Sequence, residues 1–510
     1  MHRRFSRLAF SLLSGALLIL CFPKPHLGLL AAFALVPLLL AIFTERQRGW
    51  LFLYGYAAGG VFLAGSFYWL QDVMTTYGHL AAPLAAGVLA ALVAVFALFF
   101  ALFSVWVGEL ARRNRGVALA LAPFVWVAVE LLRTHLITGL PWNLLGYALA
   151  DRPRLIQIAS LTGIYGVSFL LVTVNTAIAG VLLARTRRAL LLVVATLLLV
   201  IAIILTGPNL PEMSATSTAI LVQTNLPQLS SYEPNWVANH QHELSELYHL
   251  TLKAVEEQAA RPVFVLWPEV PAPFYFHHDP RLRAQLMALA QATRTYVLVG
   301  IIDYHKDTLG RDRPYNSAVL LAPSGEFVGQ YDKIHLVPFG EYVPWKPVFG
   351  WMKRLVAEVS DFASGTNKTL LTVGDTRAAV VICYEAIFPA LVRDFVVRGA
   401  DVLVNISNDG WFGRTAAPVQ HFNMARMRAV ETRRFLLRAT NTGITAVIDP
   451  YGRVVARAPT AVHTVLVAGF APRREQTFYV RYGDWFALLG LMVALAALAR
   501  TLWLNAVEGT

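Results

Sequence analysis

The sequence predicts an integral membrane α-helical bundle of about eight spans joined to an α/β domain. Three observations carry that prediction. Hydrophobic residues make up 56% of the 510 positions and charged residues only 15%, a balance too apolar for an ordinary water-soluble chain. Long apolar runs in the first 206 positions are separated by short arginine clusters. From Ser217 the pattern changes to short β-branched runs alternating with amphipathic stretches, which is how an α/β domain reads.

Candidate spans are Leu8–Phe22, Leu27–Phe43, Trp50–Tyr68, Leu80–Val107, Val117–Leu132, Leu161–Leu183, Ala189–Leu205 and Trp485–Leu504, each near the ~20 residues that cross the hydrocarbon core. The basic start and the LLILC string ending at Cys21 suggest a cleaved leader, but Ile19 and Leu20 are not the small residues a processing site needs, so an uncleaved first span is expected. Arginines fall in alternate loops: Arg3, Arg4 and Arg7, then Arg46 and Arg48, then Arg112, Arg113 and Arg115, then Arg185, Arg187 and Arg188. Such loops face the cytoplasm, which places both termini inside and the long polar segment outside. The same clusters account for much of the net charge of +12, so the basic balance reads as topology and not as a nucleic-acid surface. The expected division is 1–206 with seven spans, 207–484 as the polar α/β domain, and 485–510 with the last span and a short tail.

Within the membrane part, Glu130 and Arg133 lie one helical turn apart, followed by His135, Pro141, Trp142 and Asn143. Ionisable groups at this depth are costly. They read either as a lipid-headgroup or substrate-access site, or as an internal pair that anchors the next loop.

In the polar segment the expected strands are Thr218–Gln223, Val263–Trp267, Tyr296–Ile302, Ala318–Ala322, Ala379–Ile382, Val402–Ser407, Leu436–Ala439 and Ala446–Asp449, with helices over His240–Gln258, Pro280–Thr295 and Val419–Arg433. Val380, Val381 and Ile382 form a β-branched run that stops at Cys383, and Tyr384–Val392 carries helical spacing. The thiol is thus expected at a strand-to-helix turn, where a helix N-terminus favours thiolate. Cys21 lies in an apolar run, so Cys383 has no disulfide partner, and it reads as a nucleophile or as a small packed core residue. Glu269 follows Trp267 and Pro268 at a strand end, where open α/β sheets place their sites. Lys333 and Glu341 lie in the Pro- and Gly-containing stretch Tyr331–Pro344. A thiol needs a base near neutral pH, which Glu269 can be, and Lys333 can hold charge on an oxyanion. A solvated acid and a surface cation are the plainer alternatives.

The strings WPE at Trp267–Glu269, YDKIHLVPFGE at Tyr331–Glu341 and ICYE at Ile382–Glu385 resemble the nitrilase superfamily, whose Glu, Lys and Cys correspond to Glu269, Lys333 and Cys383. More narrowly, HLVPFGE, NISNDGWFG (Asn405–Gly413), RATNTG (Arg438–Gly443) and the flanking spans resemble apolipoprotein N-acyltransferases over essentially the whole chain. The resemblance implies an αββα nitrilase-like sandwich. It also implies acyl transfer from a phospholipid to the α-amino group of a diacylglyceryl cysteine through a thioester, with Glu341, Tyr384 and Glu385 supporting. It calls for no cofactor and no metal. The implied partners are a phospholipid donor and a diacylated apolipoprotein acceptor, with the chain a monomer in the bacterial cytoplasmic membrane and its catalytic domain on the periplasmic side.

Where that family often carries a tryptophan after its first strand, this chain has Tyr232 and, further on, Trp236, and either fits the part. The aromatic and basic stretch Trp345–Leu355 suits a lid dipping into the headgroup zone, or a core helix. A membrane-anchored amidase would use the same triad with water as acceptor. A transporter with an inactive regulatory domain explains the spans but not the triad.

Overall fold

The computed structural model describes residues 2–136, 138–184, 210–227, 240–260, 262–270, 275–306, 310–343 and 362–508, with isolated positions between 190 and 202 and position 347. Tyr232, Trp236 and the lid stretch lie outside the described residues, apart from Pro347. The chain forms two compact units, one of 1–71, 82–210 and 482–510, the other of 72–81 and 211–481.

The first unit holds six helices long and apolar enough to cross a membrane, among the described residues: Arg3–Cys21, Arg48–Phe67, Ala82–Arg113, Arg115–His135, Ile164–Leu183 and Trp485–Val507. The apolar run expected as the second span is a 3-10 turn, Gly28–Ala32, followed by the short helix Val36–Phe43. Most of the run expected as the seventh lies outside the described residues. Arginines of the basic loops are held by buried acids: Arg48 makes a two-pronged bond to Glu109 at 2.9 Å on each arm, and Arg7 reaches Glu45 at 2.9 Å. Glu130 and Arg133 are both buried. Glu130 accepts from the Leu145 amide at 2.7 Å, and Arg133 donates to the Trp142 carbonyl at 3.2 Å. Each therefore ties down the loop that follows the helix, as the anchoring reading requires.

The second unit is built on two six-stranded sheets. In the first, β1 (Ser217–Gln223), β2 (Phe264–Leu266) and β3 (Tyr296–Lys306) run parallel, and β4 (Asp312–Leu321) and β5 (Phe327–Asp332) continue antiparallel. In the second, β7 (Thr376–Ile382), β8 (Val402–Ser407) and β9 (Leu436–Thr440) form the parallel centre. There β6 (Leu370–Val373) lies antiparallel on one side, and β10 (Ala446–Ile448) and β11 (Val454–Arg457) on the other. The last strand, β12 (Thr464–Phe470), returns antiparallel to the edge of the first sheet at β1.

Alternation decides the layering. Ile220, Val222, Val265, Val297, Val299, Ile301, Val319 and Leu321 share one core with Leu247, Leu282, Leu286 and Leu289 of the helices Gln241–Glu256 and Pro280–Thr293. Because side chains alternate along a strand, the intervening residues point the other way, and there β1 touches β9 and β4 touches β7. The helices Pro389–Val397 and Ala417–Thr432 cover the second sheet from its far side. Four layers result, helix, sheet, sheet, helix, with β8 and β9 buried along their whole length.

Candidate active site

Glu269 emerges just beyond β2, and the chain there passes directly over Gly300 of β3. A Cβ at Gly300 would come within 2.5 Å of the Pro268 oxygen and 2.7 Å of the Glu269 Cα, so no larger residue lets the acid settle at this depth. Glu269 is buried, and its two oxygens are used separately. Oε1 accepts from Asn316 Nδ2 at 2.8 Å and from Lys333 Nζ at 3.2 Å, and Oε2 accepts from the Asn408 amide at 2.8 Å. Glu341 mirrors it: Oε1 accepts from Lys333 at 2.8 Å and Asn316 at 2.9 Å, Oε2 from the Val337 amide at 2.8 Å. Lys333 and Asn316 thus each donate to both carboxylates. Burial alone would pull the Lys333 ammonium down, but Glu269, Glu341 and a charged Cys383 outweigh it and hold the group above the ordinary lysine range. The cation is therefore permanent at working pH.

Cys383 follows β7 and adopts a left-handed backbone, φ +50°, which costs an L-residue about 1–2 kcal/mol and gathers at functional sites. The expected helix does not start here. A five-residue 3-10 turn, Cys383–Ile387, precedes Phe388, and a regular helix begins only at Pro389, because a residue before proline is turned away from the helical region. The helix N-terminus invoked to favour the thiolate is accordingly absent. Burial instead pushes the thiol up, Glu269 and Asp409 add to the shift, and Lys333 opposes it. A thiol placed so needs a base to ionise it.

Glu385 joins the two halves of the site. Fully buried, it accepts at Oε1 from Tyr331 Oη (2.7 Å), the Ile334 amide (2.7 Å) and the His335 amide (3.0 Å), and at Oε2 from the Ile382 amide (2.7 Å). The loop leaving Lys333 is thereby fastened to the strand end that delivers Cys383. Tyr384 is half-buried, with its ring against Phe388 and His335. All six residues expected from the sequence, Glu269, Lys333, Cys383, Glu341, Tyr384 and Glu385, fall in this connected region.

Sequence reasoning missed Asn316, which interrupts an apolar strand with a polar side chain. It also missed the network that joins the NISNDGWFG and RATNTG strings. Asp409 accepts from Ser407 Oγ at 2.9 Å and Arg438 at 2.8 Å, and it meets His421 Nδ1 at 2.9 Å. Arg438 also bonds Asn405, and Asn441 Nδ2 donates to Asn408 Oδ1 at 3.2 Å. From the segment 72–81, Tyr77 donates to the Gly410 carbonyl at 3.0 Å and sets its ring edge-on to Trp411.

Comparison with known proteins agrees with this architecture. The family model of the apolipoprotein N-acyltransferase N-terminal domain matches residues 14–177, and that of carbon-nitrogen hydrolases matches 226–477. An apolipoprotein N-acyltransferase of Geobacter metallireducens is 40% identical over 491 residues, 94% of this chain and 92% of that one. One of Azotobacter vinelandii is 34% identical, covering 88% and 85%. An amidase from Nesterenkonia sp. of solved structure aligns at 18% identity and TM-score 0.39, covering 55% of this chain and 98% of that one. With the membrane helices, the nitrilase-like domain and relatives matched over nearly their whole length all in agreement, the chain belongs to the apolipoprotein N-acyltransferase family.

Proposed function

We propose that this membrane enzyme moves a fatty acyl chain from a phospholipid to the α-amino group of the S-diacylglyceryl cysteine at a lipoprotein's N-terminus. The observation that carries the reading is the buried cluster in which Lys333 is shared by Glu269 and Glu341 and acts electrostatically on Cys383. Glu269 takes the thiol proton, the sulfur attacks the ester carbonyl, and the ammonium of Lys333 holds the resulting oxyanion. The C–O bond breaks, Glu269 returns the proton to the departing alkoxide, and a lysophospholipid leaves the thioester behind. The acceptor amine then attacks, Glu269 takes a proton from its nitrogen, the C–S bond breaks, and the same proton passes to the departing sulfur to regenerate the thiol. Glu341 steadies Lys333, Glu385 fastens the loop after Lys333 to the strand end that delivers Cys383, and Tyr384 supports the site beside the nucleophile.

The division 1–206, 207–484 and 485–510 belongs to this reading, supported by the two compact units. So does an outward-facing catalytic domain, supported by the alternating arginine loops. A reporter fused after Arg188 is expected to behave as cytoplasmic and one near Pro211 as periplasmic; both on one side would sink the topology.

The decisive experiment incubates purified protein with phospholipid alone and then adds a diacylated lipopeptide. An acyl mass on Cys383, labile to hydroxylamine and discharged to the peptide amine, is expected. Free fatty acid as the sole product would instead favour the amidase.

A further inference from the structure

His421 sits on the helix Ala417–Thr432 with no solvent exposure. Its Nδ1 lies 2.9 Å from Asp409 Oδ1 and its Nε2 lies 3.1 Å from the main-chain carbonyl of Cys383. A carbonyl oxygen only accepts. Asp409 also only accepts, because Arg438 binds its other oxygen at 2.8 Å and, against the cost of burial, that guanidinium holds the acid below the ordinary aspartate range. A neutral imidazole has one N–H and satisfies one of these neighbours; only the doubly protonated ring satisfies both. Arg438 Nη2 stands 3.3 Å from Nδ1, but if Nδ1 accepted from it, its lone pair would face a carboxylate oxygen at the shorter distance. The two cations instead share one carboxylate.

We propose that His421 is a positioning residue, an imidazolium clamped between Asp409 and the Cys383 carbonyl that fixes the left-handed backbone of the nucleophile and keeps a positive charge beside its sulfur. The proposal rests on the reading of Cys383 as the acyl carrier. The sulfur, a ring nitrogen of His421 and an Asp409 oxygen lie within 4.8 Å of one another. Cysteine, aspartate and histidine at that spacing could also be cation ligands, but Arg438 already compensates the carboxylate. With Arg438 and His421 positive and Asp409 negative, the cluster beside Cys383 carries one net positive charge, which offsets the upward push of Asp409 on the thiol. Among the described residues, the charged or titratable groups facing His421 include Asp409 from the turn after β8, Arg438 from β9 and Cys383 from the turn after β7. Glu269 and Lys333 also act on Cys383, and the Phe412 ring lies edge-on to the imidazole. This is a second support for the thiolate, and it replaces the missing helix N-terminus.

The test is the rate at which iodoacetamide alkylates Cys383 in the full-length protein in detergent, followed on its peptide by mass spectrometry as pH is raised. His421→Gln keeps an N–H to offer the carbonyl and removes the charge. Its alkylation profile is expected to move up by about one to three units, as for loss of a charge within 4–6 Å, with a fall of about tenfold or more at fixed neutral pH. Acyl-enzyme formation should fall with it and recover as pH rises, with phospholipid KM unchanged. A loss of the same size at every pH, or no loss, overturns the proposal. Should the variant not fold, histidine-labelled wild-type protein decides by NMR, the ring being identified by its response to alkylation of Cys383. Both nitrogens protonated at neutral pH is the expected result, and a neutral ring overturns it. Cys383→Ala run in parallel separates the two readings: if that variant still makes triacylated product, the nucleophile assignment fails, whereas the NMR result bears on the imidazolium alone.

Discussion

The two sheets of the catalytic unit contribute to the site in opposite ways. The first offers long side chains, Glu269, Asn316 and Lys333, that converge with Glu341 in a ring of charge-assisted bonds where each donor serves two acceptors. The second offers a short side chain, Cys383, whose position is set by its own strained backbone and by groups behind it, Ser407, Asp409, His421 and Arg438. A base and a cation must trade protons and charge during a reaction, so they sit where several bonds can shift in strength. A nucleophile must stay still, and backbone fixation does that with less loss of side-chain freedom. The comparison teaches that substitutions in the first half should change rates in graded steps, while those in the second half should act sharply at the sulfur.

The largest expected effect is at that sulfur. Cys383→Ala removes the atom that carries the acyl group, so the hydroxylamine-labile adduct vanishes and turnover falls by about 10⁴-fold or more. Next comes Glu269→Gln, which keeps the shape but cannot take the thiol proton, and burial has pushed that thiol up. Acyl-enzyme formation should fall about 10²–10⁴-fold, measured by single-turnover mass spectrometry. If the glutamine variant acylates at the native rate, the two halves are not coupled through this acid.

Glu269 and Cys383 were legible because each follows a strand that the sequence shows, and Lys333 because it lies within the recognisable string YDKIHLVPFGE. Asn316 was not, for a physical reason: β4 runs from Asp312, and its early residues face solvent in part, so apolar alternation shows only from Ala318 onward. The strands missed altogether, β5, β6, β11 and β12, have half-exposed patterns or only four residues. A strand that buries little of one face leaves little periodicity to read. The left-handed backbone at Cys383 left no trace either, since only glycine advertises that conformation. His421 was hidden inside a helix buried at every position but Pro418 and Val419, where one polar residue does not stand out from the face it shares. Of the eight runs of membrane length, six are unbroken apolar helices among the described residues, and length and apolarity alone do not reveal a broken element such as Gly28–Phe43.

Within the first half, Lys333→Ala should slow both half-reactions about 100-fold, the loss that follows removal of one oxyanion donor. Lysine to arginine is not a neutral exchange, because a planar fork does not fit where a compact ammonium meets two carboxylates. Asn316→Leu should cost less, about tenfold, because Lys333 still bridges Glu269 and Glu341 when the amide is gone. Equal losses in the two variants would mean that the carboxylates are held as a unit and not by graded bonds. Both are read as kcat against KM for each half-reaction, with the effect expected in kcat.

The smallest effect across the working pH range concerns the second half, where Asp409 is held down to about 2 by Arg438 and His421 against the cost of burial. An unfolded aspartate titrates near 3.9, so the folded form binds its proton less readily. The stability this gives is present in full above the unfolded value and is lost as pH falls through the folded one. That depression corresponds to about 2–3 kcal/mol. The thermal midpoint of the detergent-solubilised protein should owe nothing to this group's titration between pH 5 and 8 and should fall between about pH 4 and pH 2. Asp409→Asn should start lower at neutral pH, with Arg438 left without its carboxylate, and converge with the native protein in acid. If the difference between the two curves stays constant down to pH 2, Asp409 is not the ionised centre of the network, and the fixed half of the site would have to be held by its hydrogen bonds alone.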